Sequence, residues 1–248
     1  DDDLILIYTG GTTGLPKGVM WTHRDLFFGA LGGGGFFCQA GPALTPEELA
    51  DRLRQSFTMK SIPLPPLMHA AATWATLCGM FAGSPVVLDP SAHFDAVRIF
   101  DLVEREKIQS IAIVGDAMAR PLLDALEANP ARWNLAHVLS VGSGGAVFSQ
   151  HLQDGLKRFM PNARITSSVG SSEGGTFGAG PRGSEGFMTL TGRPDLAVVV
   201  DRSRLAQPGE TGILARTGYI PRGYWGDPAK TAATFVELGG RRYALTGD

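Results

Sequence analysis

Short apolar runs alternate with helix-length segments along most of the chain, and that rhythm constrains the fold more than any other feature. Residues 4–8, 85–88, 111–114, 136–141 and 163–167 have the length and apolar character of buried strands. Between them, residues 22–31, a segment starting at 45–48, and residues 94–107, 121–126 and 149–159 read as helices. Strands and helices alternating at this pace predict βαβ units, hence an α/β fold with a mainly parallel sheet flanked by helices. From about Phe187 the rhythm breaks into short segments, 196–200 and 211–215, between Gly/Pro turns. The expected division is therefore an α/β core over 1–182 and a smaller, mostly-β subdomain over 183–248.

One stretch could be mistaken for a membrane span, because residues 61–88 carry no formal charge. Pro63, Pro65, Pro66 and Pro85 bracket its helix-capable part, and His69, Thr73, Thr76, Gly79 and Gly83 interrupt the rest, so a buried helix entered from a Pro-rich turn is expected. With 22 basic against 24 acidic side chains and a formal charge of −2, no nucleic-acid partner is indicated. The two cysteines, Cys38 and Cys78, make neither a disulfide framework nor a zinc motif. A reducing, cytoplasmic setting follows as the expectation. The chain opens on Asp1-Asp2-Asp3 without a basic leader, which reads as the middle of something longer.

Three loops carry the chemistry. The first runs Tyr8-Thr9-Gly10-Gly11-Thr12-Thr13-Gly14-Leu15-Pro16-Lys17-Gly18. Backbone N–H groups and hydroxyls of so Gly/Thr-rich a loop can wrap phosphate oxygens while Lys17 adds a cation. It is not a Walker A loop, since Lys17 sits between Pro16 and Gly18. Strand, loop and helix are expected in turn over 4–19, with the amides of Gly11 to Gly14 facing one anion site. The second loop, Gly142-Ser143-Gly144-Gly145-Ala146, opens like a dinucleotide-binding turn but has Val147 where the third Gly should stand. The third, Gly170-Ser171-Ser172-Glu173-Gly174, literally matches the G-x-S-x-G nucleophile elbow, which makes a serine esterase an alternative. Chain order opposes it, because His23, His69, His93, His137 and His151 all precede Ser172. Glu173 instead offers a hard oxygen ligand of the kind Mg²⁺ takes beside phosphates.

Together the loops resemble the adenylate-forming family of acyl-CoA synthetases, nonribosomal-peptide adenylation domains and luciferases. The family's phosphate loop, Y-T-[ST]-G-T-T-G-x-P-K-G, is matched from Tyr8 to Gly18 with Gly10 at the Ser/Thr position. Its adenine-contacting G-[AG]-[AE]-P turn is similar to Gly144-Gly145-Ala146, with Val147 for Pro, and its Y-G-x-T-E motif falls on Val169 to Glu173 behind Ser168. Val169 replaces the stacking aromatic, and Ser172 replaces Thr. The motif G-Y-W-x-D-P-x-x-T-x-x-x-F is matched at Gly223 to Phe235, and Thr246-Gly247-Asp248 matches T-G-D. Gly170-Ser171-Ser172-Glu173 and Val114-Gly115-Asp116-Ala117 look most like actinobacterial fatty-acyl or sterol side-chain CoA ligases.

The resemblance implies that ATP and a carboxylate react to acyl-adenylate and pyrophosphate, after which CoA displaces AMP. It implies phosphate contacts for Thr9, Gly10, Gly11, Thr12, Thr13, Gly14 and Lys17, and Mg²⁺ ligation by Thr9 and Glu173. Nucleotide contacts are implied for Gly144, Gly145, Ala146, Ser168, Val169, Gly170, Ser171 and Ser172, with Asp248 on the ribose. Lys17, Thr13, Glu173 and His69 are the candidate catalytic residues, His69 lying near the acyl carboxylate. Trp74 is a candidate gate to an acyl tunnel. The family also has an upstream α/β half and a downstream mobile domain, so a truncated core that binds nucleotide with poor turnover is expected, with a non-catalytic nucleotide-binding remnant as a further alternative. Apolar surface left by a missing half would favour association, a homodimer being one outcome.

Overall fold

A computed structural model describes residues 3–10, 16–38, 41–180 and 188–247. Its central sheet has the order β3-β4-β5-β6-β7, from β3 (Ser61–Pro63), β4 (Ser110–Ile113), β5 (Ser140–Gly144), β6 (Arg164–Ser171) and β7 (Gly175–Gly180). The first four are parallel, and β7 returns antiparallel on β6. Helices α4 (Ala96–Glu106), α5 (Gly115–Ala128) and α6 (Gln150–Phe159) link and cover the strands. Each element follows from its residues. In α4, Ile99, Phe100 and Val103 form a buried stripe at helical spacing, while Asp95 Oδ1 accepts from the N–H groups of Val97 and Arg98 at 3.0 and 3.1 Å. The parallel α/β core expected from the alternation is therefore present.

Sequence boundaries needed correction where apolar character and strand pairing part company. Residues 85–88 form no strand ladder; Val86 bridges Ser61 alone, since Pro85 has no N–H to give. The helix expected over 121–126 reaches back to Gly115 and carries Pro121 inside it. In the run 136–141 only the end pairs, because buried Val138 lies in the turn before β5. The charge-free stretch gives α3 (Ala70–Phe81), a buried helix after a Pro-rich turn, and among the described residues no helix is long and apolar enough to cross a membrane.

The expectation of strand, loop and helix over 4–19 is overturned. β1 (Leu4–Thr9) pairs antiparallel with β2 (Lys17–Thr22) in full register, from Leu4 opposite Thr22 to Thr9 opposite Lys17. Val19 and Trp21 are completely buried, and the β-prone Val-Met-Trp run extends before a helix can begin. Only at Thr22, whose Oγ1 accepts from Asp25 N at 3.0 Å, does the chain turn into α1 (His23–Asp25), followed by a π-helical turn over Leu26–Ala30. A 3-10 segment over Gly32–Phe37 then bends at Gly33 and Gly34, both at positive φ. A further 3-10 turn, Pro46–Glu48, leads into α2 (Leu49–Leu53). β2 also pairs with β11 (Gly223–Tyr224), which closes a three-stranded antiparallel sheet.

The C-terminal part is mostly β, as expected. β8 (Leu196–Val200), β9 (Arg204–Leu205), β10 (Ile213–Thr217), β12 (Phe235–Leu238) and β13 (Arg241–Leu245) form an antiparallel sheet in the order β12-β13-β10-β8-β9, with α7 (Pro228–Thr234) preceding β12. Val199, Ala215, Tyr243 and Leu245 give it a core of its own.

Arg216 on β10 ties this sheet to the turn after β6 and to the helical stretch after β2. Its side chain is 6% exposed; Nη1 donates to the carbonyl of Gly174 at 2.5 Å, Nη2 donates to the carbonyl of Gly29 at 3.1 Å, and Nη2 pairs with Asp195 at 2.9 Å. Burial pushes the guanidinium pKa down, opposed by Asp195. Burial works equally against the Asp195 carboxylate, yet the Arg193 hydrogen bond and the charges of Arg216 and Arg193 hold it below its ordinary value. Arg216→Ala takes the donor from two carbonyls and leaves Asp195 to Arg193 alone, and should cost about 1–3 kcal/mol in urea unfolding; a loss below about 0.5 kcal/mol would contradict the tie. A depressed carboxylate stabilises above its unfolded pKa, about 4, and its contribution is lost as pH falls through the lower native value. Asp195→Asn should accordingly flatten the acid limb of stability below about pH 4.

Candidate functional site

The carboxyl ends of β3 to β6 open into a crevice, the usual place for ligands in an open parallel sheet. Register sets Gly144 at the end of β5 beside Ser168 on β6. The approach is close: a Cβ on Gly144 would lie 2.7 Å from Ser168 Oγ, which donates to the Ser143 carbonyl at 3.0 Å. Gly145 follows at φ +80, a conformation that favours glycine, so the Gly144-Gly145 turn needs the residues it has. One cavity of about 800 Å³ gathers Thr9 and Gly10, Gly144 and Gly145, Ser168 through Ser172, and His69. Ala146 is exposed and is not among the residues lining it.

The opposite wall is α3. His69 sits at its N-cap, exposed, and its carbonyl accepts from Ala72 N and Thr73 N, both at 3.1 Å. It is not the buried core histidine that an apolar neighbourhood suggests. Ala71, Ala75 and Gly79, one helical turn apart, line the cavity together with Trp74 and Cys78. The Trp74 ring meets Trp21 edge to face at 6.3 Å, and Trp21 Nε1 donates to the Ser172 carbonyl at 2.9 Å. Trp21 thus fixes the loop after β6 to the β1–β2 hairpin. Burial alone pushes the Cys78 thiol up to about 12, so it stays protonated.

Lys17 and Glu173 stand just outside the cavity lining and share a neighbour. The Tyr224 hydroxyl donates to Glu173 Oε1 at 2.6 Å, and Lys17 Nζ lies 5.9 Å from the centre of the same ring. Lys17 also pairs with Asp227 at 3.5 Å. Burial pushes the phenol pKa upward and the hydrogen bond to Glu173 adds to it, so Tyr224 remains a donor. Pairing of Thr9 with Lys17 and of Val19 with Tyr224 brings the hairpin, the cation and the carboxylate to one edge of the crevice. Sequence reasoning matched the Gly223 to Phe235 motif but gave Tyr224 and Asp227 no role. The available signal was the Asp-Pro pair, because Asp227 Oδ1 caps α7 by accepting from Lys230 N at 2.8 Å.

Gly11, Thr12, Thr13 and Gly14 lie outside the described residues, as does Asp248, and so does the expected orientation of the Gly11 to Gly14 amides. The nucleophile elbow does not form. That device needs a strand, a sharp turn and a helix, whereas Ser171 ends β6 and the chain turns straight into the antiparallel strand β7. Within the turn, Ser171 Oγ accepts from Gly174 N at 3.0 Å.

A profile of the AMP-binding enzyme family matches residues 1–225. The chain belongs to that family. Among curated proteins, it is 39% identical over 253 residues to the medium-chain acyl-CoA ligase Mig of Mycobacterium avium, covering all of this chain and 46% of the relative. It is likewise 39% identical over 259 residues to the 3-oxocholest-4-en-26-oate–CoA ligase of Rhodococcus rhodochrous, again covering 100% of this chain and 46% of the relative. The chain thus spans about half the length of these relatives. The crystal structure of a long-chain-fatty-acid-CoA ligase from Archaeoglobus fulgidus superposes with a TM-score of 0.75 at 21% identity, covering 100% of this chain and 49% of that one. This last likeness bears on the fold, and the fold is that of AMP-binding enzymes.

Gly170 tests the geometry of the loop. A Cβ there would meet the Gly175 carbonyl at 2.7 Å, backbone against backbone, at the bulge between β6 and β7. Gly170→Ala should therefore cost about 1–3 kcal/mol in thermal unfolding and shift Ser171 to Glu173; an unchanged melting temperature would show that the strands can part freely.

Proposed function

We propose that this chain is the nucleotide- and acid-binding part of an acyl-CoA ligase. It would activate a fatty or sterol side-chain carboxylate with ATP to the acyl-adenylate, from which CoA takes the acyl group. The observation that carries the reading is one cavity joining three polar loops to a wall of small and apolar side chains on α3. The loops suit phosphate and adenine, and the wall suits an acyl chain. The names of the relatives, which act on medium-chain acids and on a 3-oxo sterol acid, agree with such a wall.

In this reading Thr9, Gly10 and Lys17, with Gly11, Thr12, Thr13 and Gly14, receive the phosphates, while Ser172 faces the α-phosphate. Gly144, Gly145, Ser168, Val169, Gly170 and Ser171 frame the adenine, and Asp248 takes the ribose. Val169 offers an aliphatic side chain and no ring, so adenine would be held by shape and by the serine-rich strand end. His69, exposed at the mouth between α3 and the loops, is placed to meet the acyl carboxylate. The work left to the protein is mainly positioning and charge neutralisation. The donor set also fits a metal carried on phosphates. It comprises the Thr9 hydroxyl and a half-buried Glu173 carboxylate, and among the described residues no group of three or more His, Cys, Asp or Glu could form an all-protein cage. Mg²⁺, when bound there, would supply charge neutralisation on the phosphates. The division into a core over 1–182 and a subdomain over 183–248, a cytoplasmic setting and a tendency to self-associate belong to the same reading, the last supported by exposed Phe57 and Met68.

Calorimetric titration with ATP and Mg²⁺, followed by an acyl-AMP assay with fatty and 3-oxo sterol acids, tests the reading. Nucleotide binding by this chain, with acyl-AMP formed poorly by it and readily by a full-length form, is the expected result. Binding without acyl-AMP from either form for any acid favours the non-catalytic alternative. Lys17→Ala should remove one charge-assisted hydrogen bond, about 1.5–3 kcal/mol, and so weaken ATP binding about 10- to 100-fold. Unchanged affinity would take Lys17 out of the site.

A further inference from the structure

We propose that Tyr224 is a positioning residue for Glu173: its hydroxyl holds the carboxylate in the one orientation that turns the second oxygen toward a metal-bound nucleotide. The inference rests on the reading of Glu173 given above and adds a residue to which that reading assigns nothing.

The argument is geometric. Glu173 lies in a three-residue turn between β6 and β7, where a glutamate side chain with three rotatable bonds would ordinarily sample many positions. Its Oε1 is fixed by the Tyr224 hydroxyl at 2.6 Å, a short, charge-assisted contact, while among the described residues Oε2 accepts no hydrogen bond. A ligand is thus held by one oxygen and presented by the other, as carboxylates at metal sites commonly are.

Tyr224 is itself immobilised from every side. The ring is 5% exposed and packs edge to face on Phe235 at 6.2 Å. Its N–H donates to Thr231 Oγ1 at 2.9 Å, and Thr231 Oγ1 donates in turn to the Asp227 carbonyl at 2.8 Å. The preceding Gly223 has φ +145, and a Cβ there would run into Thr231 Cγ2 at 2.4 Å. Gly223, Asp227, Thr231 and Phe235 of the motif therefore help to place one phenol oxygen. If that oxygen merely filled a core, a phenylalanine would do as well.

The same mount carries the cation. Lys17 leans over the Tyr224 ring and pairs with Asp227, both partners about one-third exposed. Such a pair contributes little to stability, so Lys17 can exchange Asp227 for a phosphate at small cost.

The test is the Mg²⁺ dependence of ATP binding, measured by calorimetry on the full 248-residue chain with and without Mg²⁺. Tyr224→Phe keeps the ring and removes the hydroxyl. It should shrink the Mg²⁺-dependent gain in ATP affinity about tenfold, in line with one hydrogen bond to a charged group, and leave Mg²⁺-free binding within about twofold. Glu173→Gln should abolish the gain, and the double variant should match Glu173→Gln, because both changes act through one carboxylate. A purely structural role would instead lower the melting temperature and weaken both modes of binding together, and that result overturns the proposal, as does an undiminished gain. Should Tyr224→Phe fail to fold, Glu173→Asp serves, since it keeps the charge but stops one methylene short of the hydroxyl. An unchanged gain in that variant also overturns the proposal. If the wild-type chain binds ATP with no Mg²⁺-dependent gain, the reading of Glu173 itself falls and this inference with it; if only Tyr224→Phe retains the gain, this inference falls alone.

Discussion

A single buried guanidinium ties three parts of the chain together. Arg216 reaches from the C-terminal sheet to the turn after β6 through Gly174, and to the helical stretch after β2 through Gly29. Removing a charge of this kind from water is expensive, and only its carboxylate and carbonyl partners offset the cost. The packing around it has no slack. A Cβ on Gly29 would sit 2.3 Å from the Tyr219 carbonyl, and one on Gly175 would lie 2.7 Å from Arg216 Nη1. The arginine therefore acts as a spacer as well as a tie, and the turn that carries Ser172 and Glu173 hangs from it.

From that tie the site follows by short covalent steps. Gly174 is one residue from Glu173, and Gly29 is one helical excursion from the β1–β2 hairpin that holds Thr9 and Lys17. The indole of Trp21 adds a direct link from β2 to the carbonyl of Ser172. The turn after β6 is thus anchored by large side chains from neighbouring strands. Such second-layer support decides whether a loop of small residues can hold a charged ligand in one geometry.

What could be read from the sequence was whatever depends on local pattern. The parallel strands β4 and β6 and the helices α4 and α6 came out within a few residues of their places, because buried apolar runs and capped amphipathic stripes are local signals. β2 did not. Lys17 to Thr22 looks like the entry to a helix when phosphate loops are expected to end in one, and only its long-range partners, β1 and the two-residue β11 some two hundred positions later, make it a strand. The motif from Gly223 to Phe235 could be seen but not interpreted for the same reason. Nothing within it indicates that Tyr224 ends beside Glu173, because the two are separated by 51 positions and meet only through β2. The division of labour at Pro85 was equally invisible, since a missing N–H matters only once a neighbour's carbonyl is known.

Charge placement at the crevice has its own logic. The α3 wall carries no formal charge, and the residues that do carry one, Lys17 and Glu173, stand at the rim outside the cavity lining. Were they inside, each would need a buried counter-ion, and an acyl chain would have to displace it. At the rim, each is paired by a single polar partner, Asp227 or Tyr224, that leaves part of its capacity unused. In the proposed reading, a phosphate group arriving there would meet charges already partly desolvated, so little of its binding energy would be spent on rearrangement. An apolar acid entering the cavity would meet no charged side chain of the lining until its carboxylate reached the mouth beside His69. Separating the two environments along one cleft would let a polyanion and a hydrocarbon be held without either competing for the other's surface.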